Sequence, residues 1–377
     1  MAQEYKIAII GGGPAGCFCA YHLQNKCDVT IFEANSPLKT LLPTGGGRCN
    51  LAHAEYDFRE LVKYYPRGEK FLFSIFSQFS TADTLDFFEK IGIKTYTQED
   101  GRIFPKSNSS KDVREKFLFA LKKVHFIKER ALRVNPDMTV VTDNGSYKFD
   151  KVVIATGGHA SYNIAKYLGH SIIEPKPALI GLKTDKLFPS GITLENVSAK
   201  FANKTLTDTI LFTHQGISGP LAFKISSLMA REKFPYNVTL DLAGEIDLQK
   251  LFDANPHKSL KNLIGEILPK SLATELCSKP EIQCSQVNAK IRDDLYKNLR
   301  NLNLTITNIA SGGETVTAGG IDLKEVNPKT LESKLIPNLY FCGEVLDIDG
   351  FCGGFNLQNC WSTAYVVASN ILNNLTS

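Results

Sequence analysis

The chain has 377 residues, of which 43% are hydrophobic and 22% charged, and its formal net charge is +4. This length suits two or three domains with sizeable cores, and the composition is typical of a soluble globular protein. The small net charge gives no reason to expect a nucleic-acid partner. Every apolar run is shorter than the roughly 18 residues that cross a bilayer, so we expect no membrane partner either.

The cysteines and the N-terminus predict a cytoplasmic protein. Nine cysteines, an odd number without a C-x-x-C pair, are typical of free thiols in a reducing compartment. The first residues lead into a strand pattern without a secretion signal. The seven histidines show no spacing typical of metal ligands, so we predict no metal site.

The first predicted elements form a strand, a glycine turn, a helix and a second strand. Tyr5–Ile10 is a β-branched run suited to a buried parallel strand, and Gly11–Gly16 reads G-x-G-x-x-G. A helical pattern runs to about Asn25, and Asp28–Phe32 is a second strand that ends at Glu33. All parts of a dinucleotide-binding unit therefore occur in the expected order.

Each residue of this unit has a physical task. Gly11 permits a tight turn, Gly13 lets the backbone approach a pyrophosphate, and Gly16 permits close packing of helix on strand. The phosphates are expected at the positive N-terminus of the helix. Glu33 is placed to accept hydrogen bonds from the adenosine ribose.

Two later segments favour FAD over NAD as the bound dinucleotide. Lys151–Gly158 (KVVIATGG) is a strand that ends in small residues, which let the chain pass beneath a cofactor. Leu339–Cys342 is another strand, followed by Gly343-Glu344, a glycine-dense loop and a helix that begins near Asn356. A late strand–helix unit that completes the first glycine site is typical of two-domain FAD enzymes. The helix N-terminus suits the negative charge of a reduced flavin ring.

The middle of the chain predicts a change of architecture. Before it, a small hairpin is expected over Thr95–Ser107, and a strand over Phe126–Val134. From Pro175 the pattern becomes rich in strands, and two amphipathic helices follow at about His257–Cys277 and Ser285–Asn301. The apolar stripe of the first of these helices is interpreted as core, and it comprises Leu260, Leu263, Ile264, Ile267 and Leu268.

Six motifs, in the same order along the chain, give it a resemblance to the BaiN/YhiN-like family of FAD-dependent oxidoreductases, relatives of the fumarate reductase and succinate dehydrogenase flavoproteins. The motifs are Gly11–Gly16, TGGGRCN at Thr44–Asn50, GRIFPKS at Gly101–Ser107, LFTHQGISGP at Leu211–Pro220, TVTAGGI at Thr315–Ile321, and Thr330–Gln358.

The resemblance implies an α/β fold: a discontinuous Rossmann-like FAD-binding domain with an inserted β-barrel-like unit and a small helical unit. The implied boundaries are 1–180 and 326–377 for the FAD-binding domain, 181–255 and 303–325 for the β-rich domain, and 256–302 for the helical subdomain. The active site is expected between the flavin ring and the insert. FAD is expected to be noncovalent, because no histidine stands beside Thr44–Gly47.

The cofactor-binding residues follow from the glycine patterns and from the resemblance. They are Gly11, Gly13, Pro14, Ala15, Gly16, Glu33, Ala34, Gly46, Gly47, Arg48, Cys49, Asn50, Ala131, Ala155, Thr156, Gly157, Gly320, Gly343, Glu344, Gly354, Phe355, Asn356 and Leu357. Arg48 is expected to balance phosphate or flavin charge, and Asn50 to bind a carbonyl edge. Cys49 is interpreted as a small buried residue rather than a redox group.

His214 is the catalytic candidate. It lies in a loop bounded by glycine and proline, where a histidine can titrate near neutrality and donate a proton. The alternative is a histidine that only hydrogen-bonds its own loop.

The predicted chemistry is hydride transfer through flavin N5, with NADH or NADPH as donor. The resemblance implies a small or sterol-like enone, reduced at its C=C bond, as the substrate. Three alternatives stay open: an amine (aminoacetone-type) oxidase, an RNA-modifying flavoprotein, and a redox sensor without turnover. The oligomeric state is undetermined by these patterns.

Overall fold

The computed structural model describes residues 5–158, 162–312 and 316–375, so Thr315 of the TVTAGGI motif lies outside them. The strands are β1 (Lys6–Ile10), β2 (Asp28–Phe32), β3 (Ala52–His53), β4 (Thr95–Thr97), β5 (Arg102–Pro105), β6 (Val124–Ile127), β7 (Ala131–Val134), β8 (Thr139–Thr142), β9 (Ser146–Lys148), β10 (Lys151–Ile154), β11 (Ile172–Ala178), β12 (Leu182–Thr184), β13 (Thr193–Phe201), β14 (Lys204–Thr213), β15 (Gly216–Ser218), β16 (Tyr236–Asp241), β17 (Leu302–Ile309), β18 (Val316–Ile321) and β19 (Leu339–Phe341).

The helices lie between these strands or follow the last of them. They are α1 (Pro14–Leu23), α2 (Phe58–Leu61), α3 (Glu69–Phe76), α4 (Thr81–Lys90), α5 (Ser110–Ala120), α6 (Asn163–Tyr167), α7 (Gly219–Leu228), α8 (Leu248–Ala254), α9 (Leu260–Ile264), α10 (Lys270–Leu276), α11 (Ala289–Arg300) and α12 (Phe355–Asn373). No helix within the described ranges combines the length and apolar character needed to cross a membrane.

A five-stranded parallel sheet organises the first of two compact units, which comprises residues 1–176 and 316–377. Its strand order is β19–β10–β1–β2–β6. The side chains of β10 and β19 are buried along their whole length, as expected for strands inside a parallel sheet that is covered on both faces. This is why these strands are continuous apolar runs in the sequence. Trp361 of α12 fixes this layer by donating a 2.9 Å hydrogen bond to the carbonyl oxygen of Leu51.

The second compact unit, residues 177–315, contains a closed barrel. Its strand order is β12–β15–β14–β13–β16–β17, and neighbouring strands are antiparallel. Helices α8 to α11 belong to this unit, and their apolar side chains form one hydrophobic cluster with the barrel interior. The α/β fold class, with a Rossmann-like unit interrupted by a β-barrel and helices, is thus confirmed.

The single strand predicted over Phe126–Val134 is wrong. The chain leaves the parallel sheet after β6, turns at residues 128–130, and enters a separate antiparallel sheet through β7. The carboxylate of Glu129 accepts hydrogen bonds from the hydroxyl groups of Thr142 at 2.6 Å and Tyr147 at 3.1 Å. These contacts hold the turn in place, and they involve residues far along the chain that a local pattern does not reveal.

The helix predicted over His257–Cys277 is also wrong, because the chain forms two short helices, α9 and α10, in this range. Pro269 lacks an N–H and disfavours helical backbone at Leu268, so a continuous helix cannot pass this point. The break also affects the expected core stripe. Ile267 is 38% exposed, whereas the other four residues of the stripe are buried.

Candidate functional site

The carboxyl ends of three neighbouring parallel strands bring the glycine segments together. β1 ends before Gly11, β10 before Ala155 and β19 before Cys342. A Cβ atom built on Gly11 would lie 2.4 Å from the carbonyl oxygen of Ala155, and one built on Gly343 would lie 2.7 Å from the Cβ of Ala15. The strand order reverses at β1, and open α/β sheets bind ligands in such a crevice.

Helix α1 begins at this edge. Gly13 is its N-cap residue, no side chain caps it, and Pro14 occupies the first turn. A Cβ built on Gly16 would lie 2.0 Å from the carbonyl oxygen of Gly11, so the helix approaches the strand more closely than any other residue would allow. The uncapped first turn offers backbone N–H groups and the positive helix end to an anion.

Glu33 extends the site along the sheet edge. Its Oε2 accepts a 2.8 Å hydrogen bond from the backbone N–H of Gly12, and its Oε1 accepts one of 2.7 Å from Asn35. The carboxylate is therefore held at the end of β2, next to the glycine turn. A carboxylate has about four acceptor positions, so further hydrogen bonds from a ribose can be accommodated.

A cavity of about 570 Å³ lies beyond Glu33, on the carboxyl side of β2 and β6. The residues that line it are Glu33, Ala34, Asn35, Ser36, Pro37, Lys39, Phe126, Ile127 and Lys128. Ala131, buried at the start of β7, is outside this set. The position and volume of the cavity suit the adenosine end of a dinucleotide.

The triple glycine forms a tight turn. Gly45, Gly46 and Gly47 all have positive φ angles, between 59° and 83°. A Cβ on Gly45 would lie 2.7 Å from the backbone nitrogen of Asn50, whereas a Cβ on Gly46 or Gly47 would meet nothing within 4 Å. The first glycine is therefore required by packing inside the turn, and the other two present bare backbone at an open surface.

Arg48 and Cys49 follow this turn and take different environments. The Arg48 guanidinium lies 4.1 Å from the ring centroid of Phe104, and its Nε donates a 3.3 Å hydrogen bond to the carbonyl oxygen of Gly45. The side chain thus packs on protein in this structure, and its role toward phosphate stays a prediction. Cys49 is fully buried, and burial raises the pKa of its thiol to about 12, so the reactive thiolate is disfavoured.

Two buried polar atoms beside these segments have no hydrogen-bond partner among residues 5–158, 162–312 and 316–375. They are Oδ1 of Asn50 and Oγ1 of Thr156. Buried polar groups nearly always have a partner, so such atoms point to a missing one. Gly157, next to Thr156, has open space where a side chain would stand.

Glu344 and Gly320 lie near the end of β19. The carboxylate of Glu344 accepts a 2.9 Å hydrogen bond from the backbone N–H of Thr317. A Cβ built on Gly158 would lie 3.0 Å from the Glu344 Cδ, and one on Gly320 would lie 2.6 Å from the carbonyl oxygen of Val345. Glycine at both positions thus permits β18 and the segment after β10 to approach the residues that follow β19 closely.

The beginning of α12 is held by side chains. The Asn356 side chain exchanges two 2.9 Å hydrogen bonds with the backbone of Gly350. The Phe355 ring is buried, Leu357 is half-buried, and Gly354 is the N-cap residue, packed on Ala52. The side chains of Phe355 and Asn356 are engaged within the protein, so any cofactor contact at these two residues falls to their backbone N–H groups.

His53 and Tyr64 belong to this region and are absent from the predicted residue set. The Phe355 ring stacks on Tyr64 at 4.4 Å and on His53 at 4.6 Å between ring centroids. Nδ1 of His53 lies 3.1 Å from the carbonyl oxygen of Gly353, and burial lowers the pKa of His53. The only sequence signal for His53 was its position in the stretch LPTGGGRCNLAH. Gly353 and Phe355, which it contacts, lie about 300 residues further along the chain.

A buried ion pair also escaped the sequence analysis. Arg67 donates two hydrogen bonds to the carboxylate of Asp349, which is completely buried. It holds the glycine-dense loop that precedes α12 against the segment before α3. Nothing in the local pattern around either residue marks the pairing.

His214 lies in the barrel unit, at the tip of the hairpin that joins β14 and β15. It is exposed, and its Nε2 lies 3.3 Å from Nε2 of Gln215. Its location suits a mobile proton donor, and its catalytic role stays a prediction.

These residues fit FAD. The uncapped first turn of α1 suits the pyrophosphate, the cavity beside Glu33 suits the adenosine, and the unpartnered oxygens of Asn50 and Thr156 suit hydrogen-bond donors of a ligand. The bare backbone at Gly46, Gly47 and Gly157 leaves room for that ligand.

Comparison with known proteins agrees with this site. The family model described as HI0933-like protein Rossmann domain matches residues 5–370. The chain is 30% identical to the 3-dehydro-bile acid delta(4,6)-reductase of Clostridium scindens, over 96% of this chain and 97% of that protein. It is 29% identical to the ribosomal RNA dihydrouridine synthase of Escherichia coli and 28% identical to that of Haemophilus influenzae, over 98% of this chain in both cases and 98% and 99% of those proteins.

Two solved structures share the fold. The open conformation of a flavocytochrome c3 fumarate reductase matches with a TM-score of 0.51 at 14% identity, over 100% of this chain and 79% of that chain. The Mycobacterium smegmatis Sdh1 complex in its apo form also matches with a TM-score of 0.51 at 14% identity, over 100% of this chain and 69% of the other. The chain therefore belongs to the HI0933-like family of FAD-binding Rossmann oxidoreductases, and its resemblance to the BaiN/YhiN-like enzymes is confirmed.

Proposed function

We propose that this protein is an FAD-dependent, NAD(P)H-dependent reductase that saturates a C=C bond conjugated to a carbonyl group. The observation that carries the proposal is the meeting of three glycine segments at the edge where the strand order reverses. That site suits noncovalent FAD. The 30% identical relative named as a bile acid Δ4,6-reductase supports a small or sterol-like enone as the substrate.

FAD, when bound, supplies hydride transfer through N5 of its ring. The protein's own contribution is to hold and orient it. The amides of α1 and the carboxylate of Glu33 would bind the nucleotide end of the cofactor. The buried side-chain oxygens of Asn50 and Thr156 would each gain a hydrogen-bond partner there. The N-terminus of α12, capped by Gly354, would stabilise negative charge in its vicinity.

Saturation of an enone adds a hydride at the β-carbon and a proton at the α-carbon. The hydride, which carries both electrons of the reduction, would come from NADH or NADPH, and the proton from water through a side chain. His214 is our candidate for that side chain, because it is exposed at a hairpin tip and an imidazole can pass a proton from water to a substrate.

Uridine in RNA is the second candidate substrate. Two relatives that match nearly the full chain are named as ribosomal RNA dihydrouridine synthases. Dihydrouridine is uridine with its C5=C6 bond saturated, and that bond is conjugated to the C4 carbonyl. Both candidate substrates thus require the same addition of hydride and proton across an activated double bond.

Anaerobic reduction and reoxidation of the bound flavin tests the proposal. NADH or NADPH should bleach the absorbance at about 450 nm, because oxidised flavin absorbs there and the reduced form does not. An enone such as a 3-oxo-Δ4 steroid, or a uridine-containing RNA, should then restore it with formation of the saturated product. Bleaching by an amine such as aminoacetone, but by neither nicotinamide, would overturn the proposal in favour of an oxidase.

A further inference from the structure

The net positive charge of this chain is concentrated in one short segment. Residues 122–133 contain five cationic side chains and one carboxylate, so twelve residues carry a net charge of +4. The whole chain also has a net charge of +4, so the remaining residues sum to zero. The average over the chain conceals this asymmetry.

All five cations of the segment are exposed, and along the chain they flank the edge strand of the parallel sheet. The segment contains β6, which is the last strand in the sheet order and pairs with β2 on one side only. Lys122 and Lys123 precede β6, and Lys128, Arg130 and Arg133 follow it. At about 3.3 Å per residue, the chain from Lys123 to Arg130 spans at most about 23 Å.

Exposed aromatic rings lie beside a cation that precedes β6 and beside a cation that follows it in the chain. Phe119 is 73% exposed, and Nζ of Lys122 lies 4.6 Å from its ring centroid. Tyr167 is 55% exposed, and the guanidinium of Arg133 lies 5.2 Å from its ring centroid. A cation beside an open aromatic face is how proteins bind a phosphate and stack on the neighbouring base of a single strand.

We propose that this face binds single-stranded RNA. The basic-aromatic surface consists of Phe119, Lys122, Lys123, Arg130, Arg133 and Tyr167. Its length suits about four nucleotides, which is the lower end of the range for single-strand sites. The inference rests on the RNA candidate of the proposed function, for which it supplies a place where the substrate strand is held.

Protection of the sheet edge is the simpler explanation for lysines at this position, because charges on an edge strand prevent pairing with another chain. That explanation accounts for Lys123 and Lys128. It does not account for Phe119, since a large exposed apolar ring beside an edge would favour association. Stacking on bases uses both the cations and the rings.

The test measures binding of a fluorescein-labelled 12-nucleotide oligouridine to the FAD-loaded protein by fluorescence anisotropy, between 50 and 200 mM salt, two concentrations at which counterion release changes affinity strongly. The double variant K122Q/K123Q should weaken binding roughly tenfold and lower the slope of log affinity against log salt by about 1.4, since each phosphate contact on a single strand contributes about 0.7. Phe119→Ala should weaken binding about fivefold or more and leave that slope unchanged.

The matched control is K290Q/K297Q, which removes two exposed lysines from α11 and should leave binding unchanged. Equal binding by all four proteins would overturn the proposal. Binding to vesicles with one quarter anionic lipid but not to the oligouridine would overturn it in favour of a membrane surface. A shift in oligomeric state in the Phe119→Ala variant, without an effect on RNA, would overturn it in favour of self-association.

Failure of this surface and failure of the proposed function give different results. Reduction of uridine or of an enone with RNA binding insensitive to K122Q/K123Q would reject the surface and keep the reductase. RNA binding that depends on these residues, with no reduction of any conjugated double bond, would keep the surface and reject the reductase.

Discussion

The hydroxyl group of Tyr65 donates a 2.7 Å hydrogen bond to the carbonyl oxygen of Phe355, the first residue of α12. The two residues are 290 positions apart, and both are buried. This bond joins the early part of the chain to the helix whose N-terminus we assign to the cofactor.

Replacement of Tyr65 by phenylalanine tests that connection. We expect Tyr65→Phe to lower the free energy of unfolding by about 1 kcal/mol, the usual net contribution of one buried hydrogen bond. The Tyr64→Phe variant is the control, because the hydrogen-bond contacts described for this region involve Tyr65 while Tyr64 contributes a stacked ring. Urea unfolding measures both, and an equal loss in the two variants would contradict the assignment.

Gly11 is the position where a single methyl group should abolish cofactor binding. Its φ is 106°, and a Cβ would lie 2.4 Å from the carbonyl oxygen of Ala155, so Gly11→Ala must move the strand end apart from β10. Gly169→Ala is the control, since Gly169 has a φ of 87° but open space at the Cβ position. Gly169→Ala should lower the free energy of unfolding by only about 1–2 kcal/mol, through backbone strain.

The FAD content of each purified protein, measured by absorbance per chain, distinguishes the two variants. We expect Gly11→Ala to be nearly free of FAD and Gly169→Ala to retain it. Full FAD occupancy in Gly11→Ala would refute the placement of the nucleotide at this edge.

Asn50 should matter to the FAD-bound protein and not to the FAD-free one. Its buried Oδ1 has no partner among residues 5–158, 162–312 and 316–375, so Asn50→Leu removes no hydrogen bond at that atom from the FAD-free protein. If a cofactor group supplies the partner, the variant should bind FAD about fivefold more weakly, which corresponds to about 1 kcal/mol.

Gln98→Leu is the comparison for Asn50→Leu, because Oε1 of Gln98 is likewise buried and unpartnered within the described residues but lies outside the predicted site. FAD titration and urea unfolding of the FAD-free proteins give the two readouts. Equal FAD affinity in the two variants would remove Asn50 from the site.

His22 should make stability depend on pH. Burial among Phe18, Phe87 and Tyr365, followed by the nearby charge of Lys90, lowers the pKa of His22 from 6.5 to about 4. The unfolded chain therefore binds a proton near pH 6.5 that the folded chain refuses until about pH 4. The free energy of unfolding is therefore unaffected by His22 above about pH 6.5, and it decreases as the pH falls from about 6.5 to about 4.

Between pH 7 and pH 5, the wild type should lose about 2 kcal/mol more of its free energy of unfolding than His22→Phe, because one pKa unit corresponds to about 1.36 kcal/mol. The exposed His257 gives the control variant, His257→Phe. Parallel curves of unfolding free energy against pH for wild type and His22→Phe would contradict the buried neutral histidine.

The sequence predicted those parts of the site that local chemistry determines. β-Branched runs marked β1, β2 and β10, the apolar run LYF marked β19, and G-x-G-x-x-G marked the start of α1, because these features need particular residues at adjacent positions. The contacts that depend on tertiary structure were missed. Examples are the stacking of His53 and Tyr64 on Phe355 and the pairing of Arg67 with Asp349.

The cofactor edge is assembled from the two ends of the chain, and this has a consequence for biosynthesis. β10 ends at residue 154, but its outer neighbour β19 begins at residue 339. At about 5–20 residues per second, a ribosome needs roughly 10–40 seconds to synthesise the intervening segment. During that time one edge of β10 stays unpaired. The complete flavin site can therefore form only near the end of translation, after the barrel unit has been synthesised.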